Sequence, residues 1–449
     1  MSGWQAYWRS FSGKRVALLG LARSNLPLIE PLQQAGAELV LLDKSEDDRP
    51  ELDNWKRSGF ELHLGKDYLQ FQADVVFRTP GIRPDAGCLP ALAATGTVLT
   101  SEMEAFFQLC PCPIVGVTGS DGKSTTTSLI AAMLKAAGHR VFLGGNLGHP
   151  LLSRVPQIES GDIAVVELSS FQLMTMRRSP EVAVVTNLSP NHLNWHTDYA
   201  EYIDAKKNIF LHQKLEDTVV LNADCCETAS LSAQARGNLL WFSRCAEANA
   251  CLRGPDLLYN GAFVMKADEL QLPGRHFLED LCAAVAAAGR WASPKAMRGA
   301  AAAFGGVEHR LEWVGKFGGV SYYNDSIATS PNRAVAGLNA FDRKVILIAG
   351  GKDKGIPFTQ LAQALPLCAK EVIVTGEALG AILEAAQAVA GCPPIHRADN
   401  MAAAVGLAAS LASDGDIVLL SPACTAFDAY PDFEVRGRHF KTLVREMYA

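Results

Sequence analysis

Short runs of apolar and β-branched residues alternate along the whole chain with longer stretches rich in alanine and leucine. Runs of this length are typical of buried parallel strands, and the longer stretches are typical of the helices that connect them. The pattern therefore predicts an α/β protein with mainly parallel sheets. The clearest predicted strands are 15–20, 39–43, 74–77, 114–117, 163–167, 182–186, 319–323, 344–348, 371–374 and 416–420.

These strands fall into three successive groups, each resembling a nucleotide-binding, Rossmann-type unit. The chain has 449 residues, which is more than one hydrophobic core usually organises. We predict domains over residues 1–103, 104–308 and 309–449, with a P-loop ATPase-like unit in the centre. The stretch from Leu221 to Leu270 gives no clear pattern and is assigned only to the middle domain.

Charge and composition exclude several classes of protein. There are 41 basic and 47 acidic residues and a net charge of -6, so we expect no nucleic-acid partner. No apolar run approaches the roughly 20 residues of a membrane span, and the first residues carry no export signal. The eleven cysteines lack metal-ligand spacing and are interpreted as free thiols. We expect a cytoplasmic monomer.

The segment Thr-Gly-Ser-Asp-Gly-Lys-Ser at residues 118–124 lies between a predicted strand and a predicted helix. Glycines let the backbone approach phosphate oxygens, the lysine carries a compensating charge, and the last hydroxyl is a Mg2+ ligand. The general phosphate-loop motif has its first glycine at the position that Val117 occupies here. In this chain the first glycine of the loop is Gly119. The predicted ATP-binding residues here are Gly119, Ser120, Asp121, Gly122, Lys123, Ser124 and Thr125.

The loop with this shifted glycine resembles that of the Mur ligase family, which includes folylpolyglutamate synthase. Further matching segments are Ser-Glu-Met-Glu at 101–104, Gly-Gly-Asn-Leu-Gly at 144–148, Val-Glu-Leu-Ser-Ser-Phe-Gln-Leu at 166–173, Asn-Asp-Ser at 324–326 and Leu-Ser-Pro-Ala-Cys at 420–424. The resemblance implies an ATP- and Mg2+-dependent ligase of peptidoglycan synthesis. Its implied substrates are UDP-N-acetylmuramoyl-L-alanine and glutamate, joined through an acyl phosphate.

Three residues of the middle domain are candidates for metal binding and catalysis beside Lys123 and Ser124. Glu167 ends a predicted strand, where it is either a Mg2+ ligand or a solvated acid. A lone loop histidine such as His192 is commonly structural, but the resemblance implies a second-metal ligand. Lys206 lies in a helical segment as an ordinary surface lysine would. The resemblance instead implies a CO2-derived carbamate on Lys206 that binds metal.

The resemblance also implies that Asn146, Arg310 and Asp325 bind ATP. An adenine-contacting Asn-x-x-Asn segment of the family, expected after Gly274-Arg275-His276, is replaced here by Phe277 and Asp280. We expect adenine recognition to differ in detail.

The first domain opens with Gly20-Leu21-Ala22-Arg23-Ser24-Asn25, a dinucleotide fingerprint with two of its three glycines missing. A nicotinamide cofactor is the alternative that this segment raises. The resemblance implies a site for the UDP part of the substrate, formed by Arg23, Ser24, Asp43, Lys44, Thr79, Pro80 and Gly81.

The third domain carries Gly-Gly-Lys-Asp-Lys-Gly at 350–355, which is either an anion-binding loop or a charged turn. The resemblance implies a glutamate site formed by Thr329, Lys352, Ser421 and Phe433. Ile327 and Ala426 replace a lysine and a serine that are frequent in relatives, and Thr425 lies beside the second. The resemblance implies D-glutamate as the amino acid, and these changes raise L-glutamate as the alternative. A folate-type ligase and a nucleotide-switched binding protein are the alternative functions.

Overall fold

A computed structural model describes residues 3–46, 51–147, 150–270, 272 and 276–449. Its strands form three sheets of five, nine and six strands. The predicted α/β class with mainly parallel sheets is confirmed. The chain forms two compact units, residues 1–267 with 279–301 and residues 268–278 with 302–449. The three-domain boundaries given above stay a prediction.

The first sheet is built from strands whose alternate residues are buried on opposite faces. Val16 and Leu18 lie in one apolar cluster, whereas Ala17 and Leu19 lie in another. Both faces are covered, as expected for a parallel sheet between helices. The elements are α1 (Gly3–Arg9), β1 (Arg15–Leu19), α2 (Ile29–Gln34), β2 (Glu38–Asp43), α3 (Leu52–Arg57), β3 (Glu61–Leu64), β4 (Val75–Arg78), α4 (Leu89–Ala94), β5 (Val98–Thr100) and α5 (Glu102–Leu109).

The strand order of this sheet is β3-β2-β1-β4-β5, and all its neighbours are parallel. The chain leaves β1 toward one edge and later returns to β4 on the other side. Such a reversal opens a crevice at the carboxyl ends of the two strands. Asn25 closes the turn after β1, because its amide donates to the carbonyls of Leu19, Gly20 and Phe77 at 3.0–3.1 Å.

The second sheet has nine strands and carries the phosphate loop. It includes the stretch that gave no clear sequence pattern, which forms a run of short strands. The elements are β6 (Ile114–Thr118), α6 (Lys123–Ala136), β7 (Val141–Gly145), β8 (Ile163–Glu167), α7 (Ser170–Leu173), β9 (Val182–Val185), α8 (Tyr199–Leu211), β10 (Thr218–Asn222), α9 (Cys226–Ser230), β11 (Asn238–Ser243), β12 (Ala250–Arg253), β13 (Asp256–Tyr259), β14 (Ala262–Lys266), α10 (His276–Ala288) and α11 (Pro294–Ala302).

The order here is β14-β13-β12-β11-β10-β9-β6-β8-β7, with parallel pairing from β7 to β12 and antiparallel pairing beyond. β6 lies between β8 and β9, so the ends of these three strands meet at one edge. The helix predicted to follow the phosphate loop begins at Lys123. Its start is set by Gly122, whose φ of 75° ends the loop.

The third sheet lies in the second compact unit and is again buried on both faces. Five of its six strands are parallel, and β15 pairs antiparallel with β16. The order is β15-β16-β20-β17-β18-β19. The elements are β15 (Glu312–Phe317), β16 (Val320–Asn324), α12 (Pro331–Leu338), β17 (Val345–Gly350), α13 (Thr359–Cys368), β18 (Ala369–Thr375), α14 (Leu379–Gln387), β19 (Ile395–Arg397), α15 (Met401–Leu411), β20 (Ile417–Leu420) and α16 (Phe433–Met447).

The stretch between β1 and β2 is divided. It forms a 3-10 turn over Leu26–Leu28 followed by α2. Pro27 and Pro31 lie in this stretch, and neither can donate an intrahelical hydrogen bond, which favours a break between short turns. Within the described ranges, no helix is both long and apolar enough to cross a membrane.

Candidate active site

The phosphate loop connects β6 to α6 and is closely packed at its two glycines. Gly119 has a φ of 149° and Gly122 a φ of 75°, both in a region that favours glycine. A Cβ atom at Gly119 would overlap the Thr186 hydroxyl, and one at Gly122 would overlap the Asp280 carboxyl group. The shifted position of the first glycine is therefore a packing requirement of this fold.

The loop is held in place by polar side chains from the neighbouring strand and helix. Ser120 Oγ donates to the Ser189 carbonyl at 2.9 Å and lies 2.9 Å from the Tyr202 hydroxyl. Thr186 Oγ1 donates to the Asp121 carbonyl at 2.6 Å. Lys123 Nζ donates to loop carbonyls at 2.8 and 3.0 Å, which holds its ammonium group over the loop.

Glu167 lies at the end of β8, facing the first turn of α6, and its side chain is only 1% exposed. Ser124 Oγ donates to Glu167 Oε2 at 2.6 Å, and Asn146 Nδ2 donates to Oε1 at 2.5 Å. The structure thus brings these three predicted residues together. In the parts of the chain that are described, no cluster of three His, Cys, Asp or Glu side chains forms a complete metal cage.

This oxygen set suits a magnesium ion. Mg2+ prefers oxygen ligands and usually keeps several waters, with one or two carboxylates and substrate phosphates completing its shell. A buried carboxylate beside the hydroxyl of the phosphate-loop serine supplies that pair of donors. The residues present therefore fit the metal that the sequence suggested.

Lys206 lies on α8 with its side chain buried under the loop, 2% exposed. Its Nζ donates to the Gly119 carbonyl at 2.7 Å and to Thr118 Oγ1 at 3.3 Å, and it lies 4.7 Å from the centroid of the Tyr202 ring. Burial, with the charge of Lys123 as a smaller cause, lowers its pKa well below the usual lysine value. The surface-lysine interpretation is wrong for this residue.

His192 follows β9 and is exposed, with a φ of 54°. Its ring centroid lies 4.9 Å from that of Phe171. Desolvation first, and then the charges of Lys123 and Lys206, lower its pKa. The imidazole therefore favours its neutral form, which is the form that can bind a metal.

Two loop contacts were missed by the sequence analysis. Asn187 accepts from the backbone N–H of Asp121 through its side chain and from Ser120 through its carbonyl, both at 2.9 Å. With Thr186, it directly follows β9, the strand beside β6. Polar residues at the end of a neighbouring parallel strand were the available signal.

The predicted UDP-site residues lie at the carboxyl ends of β1, β2 and β4. Asp43 accepts from the backbone N–H of Leu21 at 2.7 Å, and Ser24 Oγ lies 3.4 Å from Thr79 Oγ1. Arg78, which was not predicted, donates to the carbonyls of Thr79 and Pro80, both at 3.2 Å. Arg23 and Lys44 lie nearby in sequence with exposed side chains.

In the second compact unit, Asp325 follows β16 and is buried. Ser421 Oγ donates to its Oδ2 at 2.8 Å, and the Leu311 backbone N–H donates to its Oδ1 at 3.2 Å. Burial raises the pKa of Asp325 to about 7. Ser421 was predicted to bind glutamate and Asp325 to bind ATP, but the two are direct partners. Arg310, which directly precedes Leu311, is exposed.

The remaining predicted glutamate-site residues surround the loops after β16, β17 and β20. Thr425 Oγ1 donates to the Lys352 carbonyl at 3.0 Å, so the two loops are tied together. Arg436, missed from sequence and buried, donates to the carbonyls of Ser326, Thr425 and Cys424 at 2.9–3.1 Å. Thr329 lies in the turn after β16, and Phe433 begins α16.

Two family segments are only partly covered by the structure. Gly148 of the segment 144–148 lies outside the described residues, as do Gly274 and Arg275 of the segment before α10. Of the two residues that replace the asparagines, Asp280 is buried beneath the loop glycine, and burial raises its pKa well above the usual aspartate range.

Three mainly parallel sheets, with a phosphate loop at the centre of the second, define a nucleotide-binding α/β enzyme. Residues 117–288 match the Mur ligase middle domain, and residues 309–424 match the Mur ligase glutamate ligase domain. The chain is 44% identical over 444 residues, 97% of each chain, to UDP-N-acetylmuramoylalanine--D-glutamate ligase of Clostridium novyi. The chain belongs to the Mur ligase family.

Solved structures with low sequence identity share the fold. UDP-N-acetylmuramate-alanine ligase of Thermotoga maritima is 17% identical with a TM-score of 0.56, covering 97% of this chain and 100% of that one. The MurF ligase of the same organism, solved in complex with ADP, is 17% identical with a TM-score of 0.54, covering 100% of both. The architecture of the three sheets is therefore that of the family.

The raised pKa of Asp325 predicts a pH dependence of stability. Between its unfolded pKa of about 3.9 and its folded pKa of about 7, the native carboxyl group holds a proton that the unfolded chain loses. Stability contributed by this group is therefore fully present below pH 4 and is lost as the pH rises to 7. Relative to wild type, Asp325→Asn should gain about 1 kcal/mol or more between pH 5 and pH 8.

The measurement is the urea midpoint of both proteins across this pH range. Asp342→Asn is the matched control, because Asp342 is exposed and should leave the pH profile of wild type unchanged. Parallel curves for wild type and Asp325→Asn would contradict the assignment of a neutral buried carboxyl group.

Proposed function

We propose that this chain joins D-glutamate to UDP-N-acetylmuramoyl-L-alanine with consumption of ATP, in the cytoplasmic synthesis of peptidoglycan precursors. One observation carries the proposal. The chain matches a D-glutamate ligase along 97% of both lengths. The packing of Lys123, Ser124, Glu167 and Lys206 around one phosphate loop supports it. The neighbour solved with ADP supports a nucleotide at that loop.

The chemistry requires activation of a carboxylate. ATP converts the alanine carboxylate into an acyl phosphate, the glutamate amine attacks its carbonyl carbon, and phosphate leaves as the amide forms. Negative charge develops on phosphoryl and carboxyl oxygens in both steps, and fixed cations and N–H donors stabilise it. Lys123 and the loop N–H groups act on the phosphates of ATP.

We propose that Ser124 and Glu167 hold Mg2+, with Asn146 orienting the carboxylate. The metal supplies positive charge for the phosphate oxygens. His192 and Lys206 are the proposed ligands of a second ion, and the low pKa of each favours a neutral nitrogen.

A carbamate on Lys206 would complete that second site. A neutral amine attacks CO2, a C–N bond forms and a proton is released, so a neutral group becomes an anion. Among its neighbours, the charge of Lys123 favours an anion at this position, whereas the charges of Glu167 and Asp121 oppose one. Burial favours the neutral amine, which is the form that attacks CO2, over a charged lysine.

The substrate sites follow the crevices of the first and third sheets. The UDP part is proposed to contact Arg23, Ser24, Asp43, Lys44 and residues 79–81, where loop N–H groups and hydroxyls lie together. Arg310 and Asp325 are proposed to contact ATP. Thr329, Lys352, Ser421 and Phe433 are proposed to hold glutamate. The net charge of -6 supports action without nucleic acid, and we propose a monomer.

The test of this function is product formation with each glutamate enantiomer. Incubation with ATP, Mg2+ and UDP-N-acetylmuramoyl-L-alanine should give, with D-glutamate, a product heavier by one glutamate less one water. L-glutamate should give little or none. The mass of the UDP-linked product is measured by mass spectrometry, and ADP is measured in parallel. An L-glutamate product, or none with either enantiomer, contradicts the proposal.

Replacing Lys206 separates the carbamate from a structural lysine. Lys206→Ala should reduce kcat by about 100-fold or more, since it removes a group acting on the developing charge. Short carboxylic acids such as formate should restore part of the rate, because they can place an anion in the vacated space. Lys207→Ala is the control, because Lys207 directly follows Lys206 in the chain and its ammonium group pairs with the exposed Asp204.

The rates are measured as phosphate release at saturating substrates, with and without the added acid. An inactive Lys206→Ala enzyme that no small acid improves would favour a lysine needed only as an amine. Unchanged activity would remove Lys206 from the mechanism.

A further inference from the structure

Arg83 lies just after the proposed UDP loop at residues 79–81 and reaches across to the second sheet. Its guanidinium group donates to both carboxylate oxygens of Glu201, at 2.9 and 3.0 Å. It also donates to the Trp195 carbonyl at 2.7 Å and lies 5.1 Å from the centroid of that ring. Trp195 Nε1 donates back to the Gly81 carbonyl at 3.1 Å. The UDP loop is thus tied to the start of α8.

Glu201 continues this connection inward. Besides Arg83, its Oε2 accepts from the backbone N–H of Thr197 and lies 3.0 Å from His196 Nδ1. The hydrogen bonds from Arg83 lead the causes that lower the pKa of Glu201 to about 2. Because an ionised carboxylate only accepts, Nδ1 of His196 carries the proton in this contact.

His196 extends this hydrogen-bonded chain to the turn after β8. Its Nε2 lies 2.9 Å from Ser170 Oγ, and its ring stacks on Phe171 with centroids 5.7 Å apart. The order acid, histidine, serine matches that of hydrolytic triads. Here Ser170 and His196 are each only 2% exposed, so neither reaches a substrate. Their geometry is suited to positioning.

Ser170 is three residues beyond Glu167, and the intervening turn is held at each step. Ser169 caps α7, and Gln172 Oε1 accepts from the Ser169 backbone N–H at 2.9 Å. Thr118 Oγ1 donates to the Leu168 carbonyl at 2.8 Å. A displacement of Ser170 would therefore be passed to the end of β8, where the carboxylate of the proposed metal site begins.

We infer that Arg83, Glu201 and His196 are positioning residues that couple the UDP loop to the metal-binding end of β8. Their side chains form a continuous hydrogen-bonded chain from Arg83 to Ser170, and Trp195 joins this chain to Gly81. Occupancy of the UDP crevice would then favour the arrangement of Glu167 that binds magnesium nucleotide. The inference rests on the proposed function, since it takes the two crevices as the UDP-substrate and ATP sites.

The experiment measures the affinity for ADP with Mg2+ by calorimetry, with and without saturating UDP-N-acetylmuramoyl-L-alanine. In wild type the UDP-sugar should tighten ADP binding by about fivefold or more, the lower end of the usual range for coupled sites. The ratio of interest is that of the ADP dissociation constants measured without and with the UDP-sugar. Glu201→Gln, which keeps the shape of the side chain but weakens the link to Arg83, should bring this ratio close to one. Arg83→Ala, a change at a partly exposed side chain, should do the same.

Asp85→Ala is the matched control. Asp85 pairs with the same arginine at 2.8 Å but is exposed and does not reach the second sheet. It should keep the wild-type ratio. A residue that only stabilises the fold would lower the melting temperature without changing the ratio, so the melting temperature of each variant is recorded beside it.

Several outcomes would overturn the inference. A wild-type ratio of one excludes coupling, and unchanged ratios in both Glu201→Gln and Arg83→Ala exclude this route. Loss of coupling in Asp85→Ala as well would remove the specific link to Glu201. Because binding alone is measured, a wild-type enzyme that couples the two ligands but makes no amide would contradict only the proposed function. Failure to bind the UDP-sugar would contradict both.

Discussion

Burial of polar side chains beneath the phosphate loop is the constraint on which the middle sheet depends. Glu167 and Lys206 are almost completely enclosed, and polar groups at such a depth require close partners. The carboxylate has them in Ser124 and Asn146, whereas the lysine donates to the Gly119 carbonyl and Thr118. The strands β6, β7 and β8 must end at one level to provide these partners. They do so because Val117 and Gly145 both pair with Glu167 in parallel register.

The same arrangement of strand ends recurs in the other two sheets. In each, the chain leaves a central strand toward one edge and returns on the other side, so that a crevice opens where direction reverses. A glycine ends or directly follows that strand. A Cβ atom would overlap Thr79 at Gly20, Thr186 at Gly119 and the Thr375 carbonyl at Gly350. Three crevices of one kind are thus the proposed places for a UDP-sugar, a nucleotide and an amino acid on one chain.

Local sequence was sufficient for the ten strands that it predicted, the loop and the partnership of Ser124 with Glu167. Each depends on short-range rules: apolar runs make buried strands, and residues at neighbouring strand ends meet. Strands β12–β14 were not predicted from the sequence, because short antiparallel strands with a register shift leave little periodicity. The link from Arg83 to Glu201 joins residues 118 positions apart, and nothing near either residue indicates the other. Arg436 was missed because its partners are backbone carbonyls, which leave no mark in the sequence, and one of them, Ser326, is 110 positions away.

The central claim is that ATP phosphorylates the alanine carboxylate before the amide forms. It is tested by following oxygen from UDP-N-acetylmuramoyl-L-alanine labelled with 18O in that carboxylate. Since the acyl phosphate shares one carboxylate oxygen with phosphorus, each turnover should release inorganic phosphate containing one 18O atom, detected by mass spectrometry. Amide product accompanied by unlabelled phosphate would contradict the account.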